Sequence, residues 1–294
     1  MRHASKVLKL FIALSGVSLS YCLLALVVGN FAFADPFSST THTPTSTSAP
    51  TATSTSCNKP LYLTFDTGHM EVAPLISDIL KKHNIRVTYF AAQEPSKTGD
   101  GSLGETWARW WKNEAALGNT FASHTYDHVY WRADKPDDRF IFQPSSGPLK
   151  GQRLNWGAKE YCEELAKSNA RLKEITGADP LPLFRAPGGK TSPQLLRVAK
   201  SCGFEHVDWA AAGFLGDELS SKKFPNQLLL ERALKDIKTG DILMAHLGIW
   251  SREDPWAPSV LEPLIIGLQE KGFCFDTLSH HPRFATWIKN THAQ

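Results

Sequence analysis

The amino-acid sequence predicts an α/β protein, a (β/α) barrel of about seven parallel strands with helices outside it. From residue 57 onward, short apolar segments alternate with amphipathic helical segments, which is typical of a parallel sheet covered by helices. About seven such units favour a closed barrel over an open sheet. The 294-residue chain is 42% hydrophobic and 21% charged, a globular composition that excludes a wholly disordered or collagen-like protein.

The predicted elements follow one another regularly along the chain. In the first helix, apolar residues at 72, 75, 76, 79 and 80 fall on one helical stripe, and glycine follows most later helices as a stop signal. Strands are expected at 61–65, 87–90, 120–123, 181–184, 204–209, 241–246 and 273–275, and helices at 72–84, 105–117, 154–175, 192–201, 226–237 and 260–271. Residues 131–153 contain three prolines and a Ser-Ser-Gly, so a long surface loop is expected there.

Residues 1–34 have the layout of an export signal. Arg2, Lys6 and Lys9 precede an uncharged run that ends in Ala32-Phe33-Ala34, which places small residues where a signal peptidase needs them. The run is also long enough to span a bilayer, so a cleaved signal peptide and a retained signal anchor both stay open. Either way the rest of the chain is expected outside the cytoplasm: periplasmic, secreted or membrane-anchored. It would meet a membrane only through this segment.

Residues 35–56 have the composition of a linker. Of the 21 residues from 36 to 56, 17 are Ser, Thr or Pro and none is charged, so the segment cannot bury apolar surface. It is interpreted as a tether, with a tail that has no role as the alternative. Residues 57–294 are expected to form one folded domain.

The charge balance excludes one class of partner. The chain has a formal net charge of +3, and its leader holds three basic residues and no acid. Without the leader, 29 basic residues face 29 acidic ones, so no nucleic-acid partner is expected. The sequence gives no indication of oligomeric state.

Four cysteines follow the leader, at positions 57, 162, 202 and 274. In an exported chain they allow two disulfides in three possible pairings. Cys57 precedes the first predicted strand and Cys274 lies in the last, and a closed barrel would bring these strands together. We therefore favour Cys57–Cys274 with Cys162–Cys202. Free buried thiols are the alternative.

Polar side chains collect where the predicted strands end. Asp66, His124, Arg185, Asp208 and His246 each end or follow a different strand. The carboxyl ends of parallel barrel strands form one face, where sites are built. The sequence therefore predicts a site that these five residues share.

His124 and His128 form an HxxxH pattern that is compatible with metal binding. On a helical turn the two imidazoles would share a face, about 6 Å apart along the axis. Neutral imidazole nitrogens would then hold one divalent ion, zinc or alternatively cobalt or nickel. An ordinary pair of surface histidines is the alternative.

Five motifs in this order resemble the polysaccharide deacetylase (NodB homology) family of carbohydrate esterases. They are TFDTG at 64–68, SHTYDH at 123–128, RAPGG at 185–189, DW at 208–209 and MAH at 244–246. Any one motif is weak, but five in order are specific, and the resemblance covers roughly residues 60–280. It implies a distorted (β/α) barrel that removes N- or O-acetyl groups from an acetylated glycan with a bound divalent metal.

The resemblance also implies a set of acid–base residues. Asp66 would be the general base, oriented by Arg185, and His246 the general acid, tuned by Asp208. An amide is a poor electrophile with a poor leaving group. Proton transfer to and from positioned side chains is therefore needed at both ends of the reaction.

Binding residues are implied in the same way. His124 and His128 would be the metal ligands, Trp209 and Met244 would line the pocket for the acetyl methyl group, and the backbone N–H of Gly188 would help hold the oxyanion. A metal at this site would polarise the carbonyl and activate water.

The chain departs from the family pattern at two positions. The family's second Asp, a metal ligand, is Thr67 here, and a neutral hydroxyl leaves the site one negative charge short. Thr67 stays a candidate ligand through a water that its hydroxyl holds, or His69 reaches in instead. A third reading is that metal binding is weak and the protein binds glycan without turnover. Gly188 replaces a usual aromatic residue and is expected to open the rim.

Two functions follow from this pattern. The first is a metal-dependent deacetylase of an extracytoplasmic polysaccharide, with N-acetyl groups favoured over O-acetyl groups. The second is a non-catalytic glycan-binding protein on the same barrel. The other four motifs keep their charged residues, which favours the enzyme.

Overall fold

The structure is a computed structural model that describes residues 57–292. The predicted export signal and the whole Ser/Thr/Pro segment lie outside the described residues. Within 57–292, no helix has both the length and the apolar character needed to cross a membrane.

A parallel sheet curls into a half-barrel at the centre of the fold, which confirms the predicted fold class. Its strands are β1 (Pro60–Asp66), β2 (Thr88–Ala91), β3 (Thr120–Ser123), β7 (Leu183–Phe184), β8 (Glu205–His206), β9 (Ile242–His246) and β10 (Cys274–Phe275). The strand order is β10-β1-β2-β3-β7-β8, with β9 paired to β1. The chain after β8 continues to β9, where the Leu215 N–H donates to the Met244 carbonyl at 3.2 Å.

Seven α-helices accompany the sheet in the described part of the chain. They are α1 (Ala73–Lys82), α2 (Glu105–Ala116), α3 (Ala158–Thr176), α4 (Pro193–Ser201), α5 (Asn226–Asp236), α6 (Leu261–Glu270) and α7 (Pro282–His292). The apolar stripe of α1 buries Ile76, Ile79 and Leu80, as its spacing predicts, but Leu75 of the predicted stripe is 38% exposed. Helix α7 was not predicted. It buries Phe284 and Ile288 beside Leu183 of the sheet.

The prediction of a long loop at 131–153 is wrong. Three antiparallel strands form a second sheet: β4 (Val129–Lys135), β5 (Arg139–Pro144) and β6 (Leu154–Trp156). The prolines do not oppose it, because Pro136 lies in the hairpin turn and Pro144 ends a strand. Phe140 and Phe142 lie two residues apart on β5 and both face the core, and the Phe142 ring stacks on the Tyr161 ring with centroids 4.9 Å apart. Because residues 154–156 pair with β5 as strand β6, α3 begins at residue 158 and not at the predicted residue 154.

Two disulfides join the predicted pairs of cysteines. Cys57–Cys274 ties the start of β1 to β10 across 217 residues, with the Cα atoms 6.0 Å apart. Cys162–Cys202 ties α3 to the end of α4, with the Cα atoms 5.6 Å apart.

Candidate active site

Parallel pairing brings the predicted site residues to one end of the sheet. Asp66 ends β1 and His246 ends β9, and the two are direct partners in the β1–β9 register. His124 follows β3 and Arg185 follows β7, which are also paired. Asp66, His124 and His246 line one cavity of about 160 Å³, and Arg185 is bonded to Asp66. Four of the five strand-end residues therefore converge as predicted.

Arg185 holds Asp66 in a fully buried ion pair. The Arg185 Nη1 donates to Asp66 Oδ1 at 2.7 Å and to Thr64 Oγ1 at 2.9 Å, and its Nε donates to the Val207 carbonyl. Burial alone would raise the pKa of Asp66, but the charges of Arg185, His124 and His246 outweigh it and lower that pKa below its usual value. Asp66 is therefore an ionised carboxylate with a fixed orientation.

Asp217 is the carboxylate beside His246. Its two oxygens lie 3.1 Å from His246 Nδ1, and its Oδ2 accepts the His246 backbone N–H at 2.7 Å. Burial opposes the charged imidazole, but Asp217 above all, with Asp66 and Glu218, raises the pKa of His246 to about 9. The imidazole is protonated at neutral pH.

The prediction that Asp208 pairs with His246 is wrong. The Asp208 side chain is 62% exposed and accepts a hydrogen bond from Arg283 Nη1 at 3.0 Å. Strand β8 ends early, at His206, so residue 208 already lies beyond the sheet. The segment after residue 208 runs beside β9, where Phe214 forms a parallel bridge with Met244. This pairing places Asp217 at the site. In the sequence, the signal for Asp217 is a carboxylate that closely follows the apolar segment 213–215.

His124 and His128 lie together, but on a turn and not on a helix. Thr125 and His128 adopt left-handed backbone angles, with φ of 57° and 49°, and the two imidazole centroids are 4.8 Å apart. The Nδ1–H of His124 donates to the Arg185 carbonyl at 2.9 Å, and His128 Nδ1 shares a hydrogen bond with Ser145 Oγ at 2.5 Å. Burial lowers the pKa of His128 to about 4, so this ring is neutral.

Thr67 contacts a carboxylate that sequence reasoning missed. Its Oγ1 donates to Glu94 Oε2 at 2.6 Å and accepts the Ala92 backbone N–H at 3.1 Å. Glu94 follows the carboxyl end of β2, so its position after a strand was the available signal. His69 does not take this place. It lines an adjoining cavity, where its ring meets that of Trp250 at 5.4 Å.

The cavity wall agrees with the prediction at Gly188, Trp209 and Met244, which all line it. The expected open rim at Gly188 is wrong, because Tyr130 from β4 covers that position. A Cβ atom on Gly188 would stand 2.9 Å from Tyr130 Cε1, and Gly188 itself adopts a φ of 64°. Trp250 is 61% exposed at the same cavity.

The donor set at the imidazole pair fits a divalent ion of the zinc type. Among residues 57–292, no three His, Cys, Asp or Glu side chains already stand close enough together to cage an ion. However, each of the two rings has its Nδ1 engaged by an oxygen, and such outer contacts fix a ring whose Nε2 binds metal. Neutral imidazole is also the form that ligates zinc.

Comparisons with known proteins agree with these observations. The family model of the polysaccharide deacetylases matches residues 53–207. The chain is 24% identical over 233 residues to the chitooligosaccharide deacetylase of Azorhizobium caulinodans, covering 74% of this chain and 92% of that protein. It is 24% identical over 221 residues to the peptidoglycan-N-acetylmuramic acid deacetylase PdaA of Bacillus subtilis, covering 75% of this chain and 70% of that protein.

Solved structures show the same fold. The Xyl-CE4 domain of a multidomain xylanase from the hindgut metagenome of Trinervitermes trinervoides has a TM-score of 0.55 at 18% identity, covering 78% of this chain and 90% of that one. A CE4 family pseudoenzyme from Bacillus anthracis has a TM-score of 0.53 at 19% identity, covering 76% and 65%. By its sequence match and by its fold, the chain belongs to the polysaccharide deacetylase family of hydrolases that act on carbon–nitrogen bonds.

Proposed function

We propose that this protein is a metal-dependent deacetylase that hydrolyses acetyl groups, N-acetyl in preference to O-acetyl, on an extracytoplasmic polysaccharide. One observation carries the proposal. An ionised carboxylate, Asp66, and a protonated imidazole, His246, are register partners on adjacent strands and line one cavity that also holds the imidazoles of His124 and His128. Pairs of titratable groups whose pKa values are pushed apart mark acid–base assignments.

Proton transfer by this pair accounts for amide hydrolysis. Asp66 takes a proton from the attacking water as the water oxygen bonds to the acetyl carbon. His246 gives its proton to the sugar nitrogen as the carbon–nitrogen bond breaks, which releases acetate and an amine. Arg185 orients the carboxylate, and Asp217 keeps the imidazole charged until the proton leaves.

The remaining wall positions the acetyl group. Trp209 and Met244 offer apolar surface to the acetyl methyl, and the backbone N–H of Gly188 is assigned to the developing oxyanion. When bound by His124 and His128, a divalent ion such as zinc, cobalt or nickel supplies Lewis-acid polarisation of the carbonyl.

The substrate is assigned to acetylated glycans rich in N-acetylhexosamine. Chitooligosaccharide and peptidoglycan, named in the relatives, both present this sugar. Trp250 supports the assignment, because an exposed indole at the cavity suits the apolar face of a sugar ring. Two disulfides in the described residues support action outside the cytoplasm.

Acetate release tests the function directly. The full chain is incubated with chitooligosaccharides, peptidoglycan and O-acetylated xylan, each with added zinc, cobalt or nickel. Release from an N-acetylated glycan that Asp66→Asn lacks is the expected result.

The same assay addresses the second candidate, a glycan-binding protein without turnover, which Thr67 favours by leaving the position without a carboxylate. Saturable glycan binding with no acetate from any substrate, in protein shown to hold metal, would support this candidate and refute the enzyme.

A further inference from the structure

Three acidic side chains line the cavity, and they are not equivalent. Asp66 Oδ1 is bonded to Arg185, and its Oδ2 lies 3.7 Å from His124 Nε2. Glu218 stands on the acid side, with its Oε2 3.9 Å from His246 Nε2. Glu94 stands on the other side, with its Oε1 3.8 Å from His128 Nδ1. Among the described acidic residues of the cavity, Glu94 is therefore the one that lies beside His128 and contacts Thr67.

Glu94 lies in front of the hydroxyl of Thr67, the position where the family pattern has a carboxylate. Since Thr67 Oγ1 accepts the Ala92 N–H, its own proton is free to go to Glu94 Oε2, and the 2.6 Å distance shows that it does. The second oxygen, Oε1, accepts no hydrogen bond from residues 57–292. Thr67 thus fixes one carboxylate oxygen and leaves the other available.

The backbone at Glu94 is held in place from the neighbouring loop. The Glu94 N–H donates to Ser102 Oγ at 2.9 Å, and the Ser102 N–H donates to the Glu94 carbonyl at 2.9 Å. Ser102 is fully buried. A side chain whose anchor is fixed in this way needs little ordering to bind a ligand.

Glu94 also lacks a cationic partner. No lysine or arginine in the described range 57–292 forms an ion pair with it, although its side chain is only 18% exposed. A largely buried carboxylate is costly unless a cation or several donors compensate its charge. A divalent ion bound at the imidazole pair would provide that compensation.

We propose that Glu94 is a ligand of the divalent ion together with His124 and His128, and that Thr67 is the residue that positions it. The carboxylate missing at position 67 is thereby supplied from the loop between β2 and α2. This inference rests on the proposed metal-dependent function and adds to it the third ligand.

Zinc affinity of the full chain, measured by competition with a chromophoric chelator, tests the proposal. Glu94→Gln removes the charge and keeps the shape. Loss of an outer-shell partner weakens metal binding about 10- to 100-fold, so loss of a ligand is expected to weaken it about 100-fold or more. Glu218→Gln is the matched control, because it removes one charge from the same cavity, and less than a roughly threefold change is expected there.

Two further measurements separate a ligand from a structural role. Thr67→Asp added to Glu94→Gln restores a carboxylate beside the imidazoles and should recover most of the lost affinity. Cobalt bound to the wild type and to Glu94→Gln should differ in its visible absorption bands, since the ligand set differs.

The outcomes also separate this inference from the function on which it rests. Equal zinc affinity in Glu94→Gln and Glu218→Gln, with loss of zinc in His128→Ala, would overturn the role of Glu94 and leave the deacetylase proposal standing. Absence of zinc binding by the wild type would overturn both. Weak binding by Glu94→Gln with recovery in the double variant supports the ligand.

Discussion

The two sides of the cavity are built in different ways. The proton-transfer side, with Asp66, Arg185 and His246, sits on or directly after the carboxyl ends of parallel strands of one sheet, and strand pairing fixes its geometry. The imidazole side, with His128 and Glu94, sits on a turn and a loop that side-chain contacts hold. The ends of paired strands tolerate little variation in position, whereas a loop can present a different side chain at the same place.

The electrostatics of the two sides differ in the same sense. On the proton-transfer side, paired charges lower the pKa of Asp66 and raise that of His246 to about 9. On the imidazole side, burial keeps His128 neutral, with a pKa of about 4. One side therefore stores a base and a charged acid, and the other offers neutral nitrogen donors.

The largest effect is expected on the proton-transfer side, from Asp66→Asn. Loss of a positioned base should lower kcat for acetate release by about 10²- to 10⁴-fold. Thermal stability should fall too, because Arg185 would be left buried without its partner. Asp208→Asn, at an exposed aspartate paired with Arg283, is the control and should keep the wild-type rate. A wild-type rate in Asp66→Asn would contradict the assigned base.

Asp217→Asn should shift the pH profile of the same side. The protonated form of His246 is the active acid, so activity is lost as pH rises through its raised pKa of about 9. Removing the adjacent negative charge lowers that pKa, and the alkaline limb of kcat should move down by about 1–3 pH units. Asp208→Asn should leave the limb in place. Equal shifts in the two variants would refute the pairing of Asp217 with His246.

The contrast between the two sides explains what sequence alone could predict. The barrel and the convergence of Asp66, His124, Arg185 and His246 follow from strand periodicity and parallel pairing, because every strand end reaches the same face. The prediction for Asp208 failed because β8 ends two residues before it. The ends of helices and strands are what a sequence pattern predicts least well.

The missed residues share a physical reason. Glu94 and Tyr130 reach the cavity from a loop and an inserted hairpin, and Asp217 reaches His246 from an irregular segment. The paths of all three depend on tertiary contacts. Periodicity carries no information about such paths. The two departures of this chain, at Thr67 and Gly188, are each met by one of these residues: Glu94 bonds to Thr67, and Tyr130 covers Gly188.

A smaller effect is expected on the imidazole side from Ser145→Ala. Ser145 Oγ is the hydrogen-bond partner of His128 Nδ1, and its loss should weaken zinc binding about 10- to 100-fold by freeing the ring. Ser146→Ala is a matched control, because the neighbouring hydroxyl is buried without a hydrogen-bond partner among the described residues. Zinc titration of both variants gives the comparison, and equal affinities would show that Ser145 does not orient His128.

The smallest effect is expected at the mouth, where the two sides share the substrate. Trp250→Ala should raise KM for a chitooligosaccharide roughly 2- to 10-fold, the contribution of one aromatic contact, and leave kcat nearly unchanged. Trp250→Phe should recover part of the loss, because a smaller ring still stacks. The ring of Trp250 lies against His69, and a fall in kcat with constant KM would contradict a substrate-binding role.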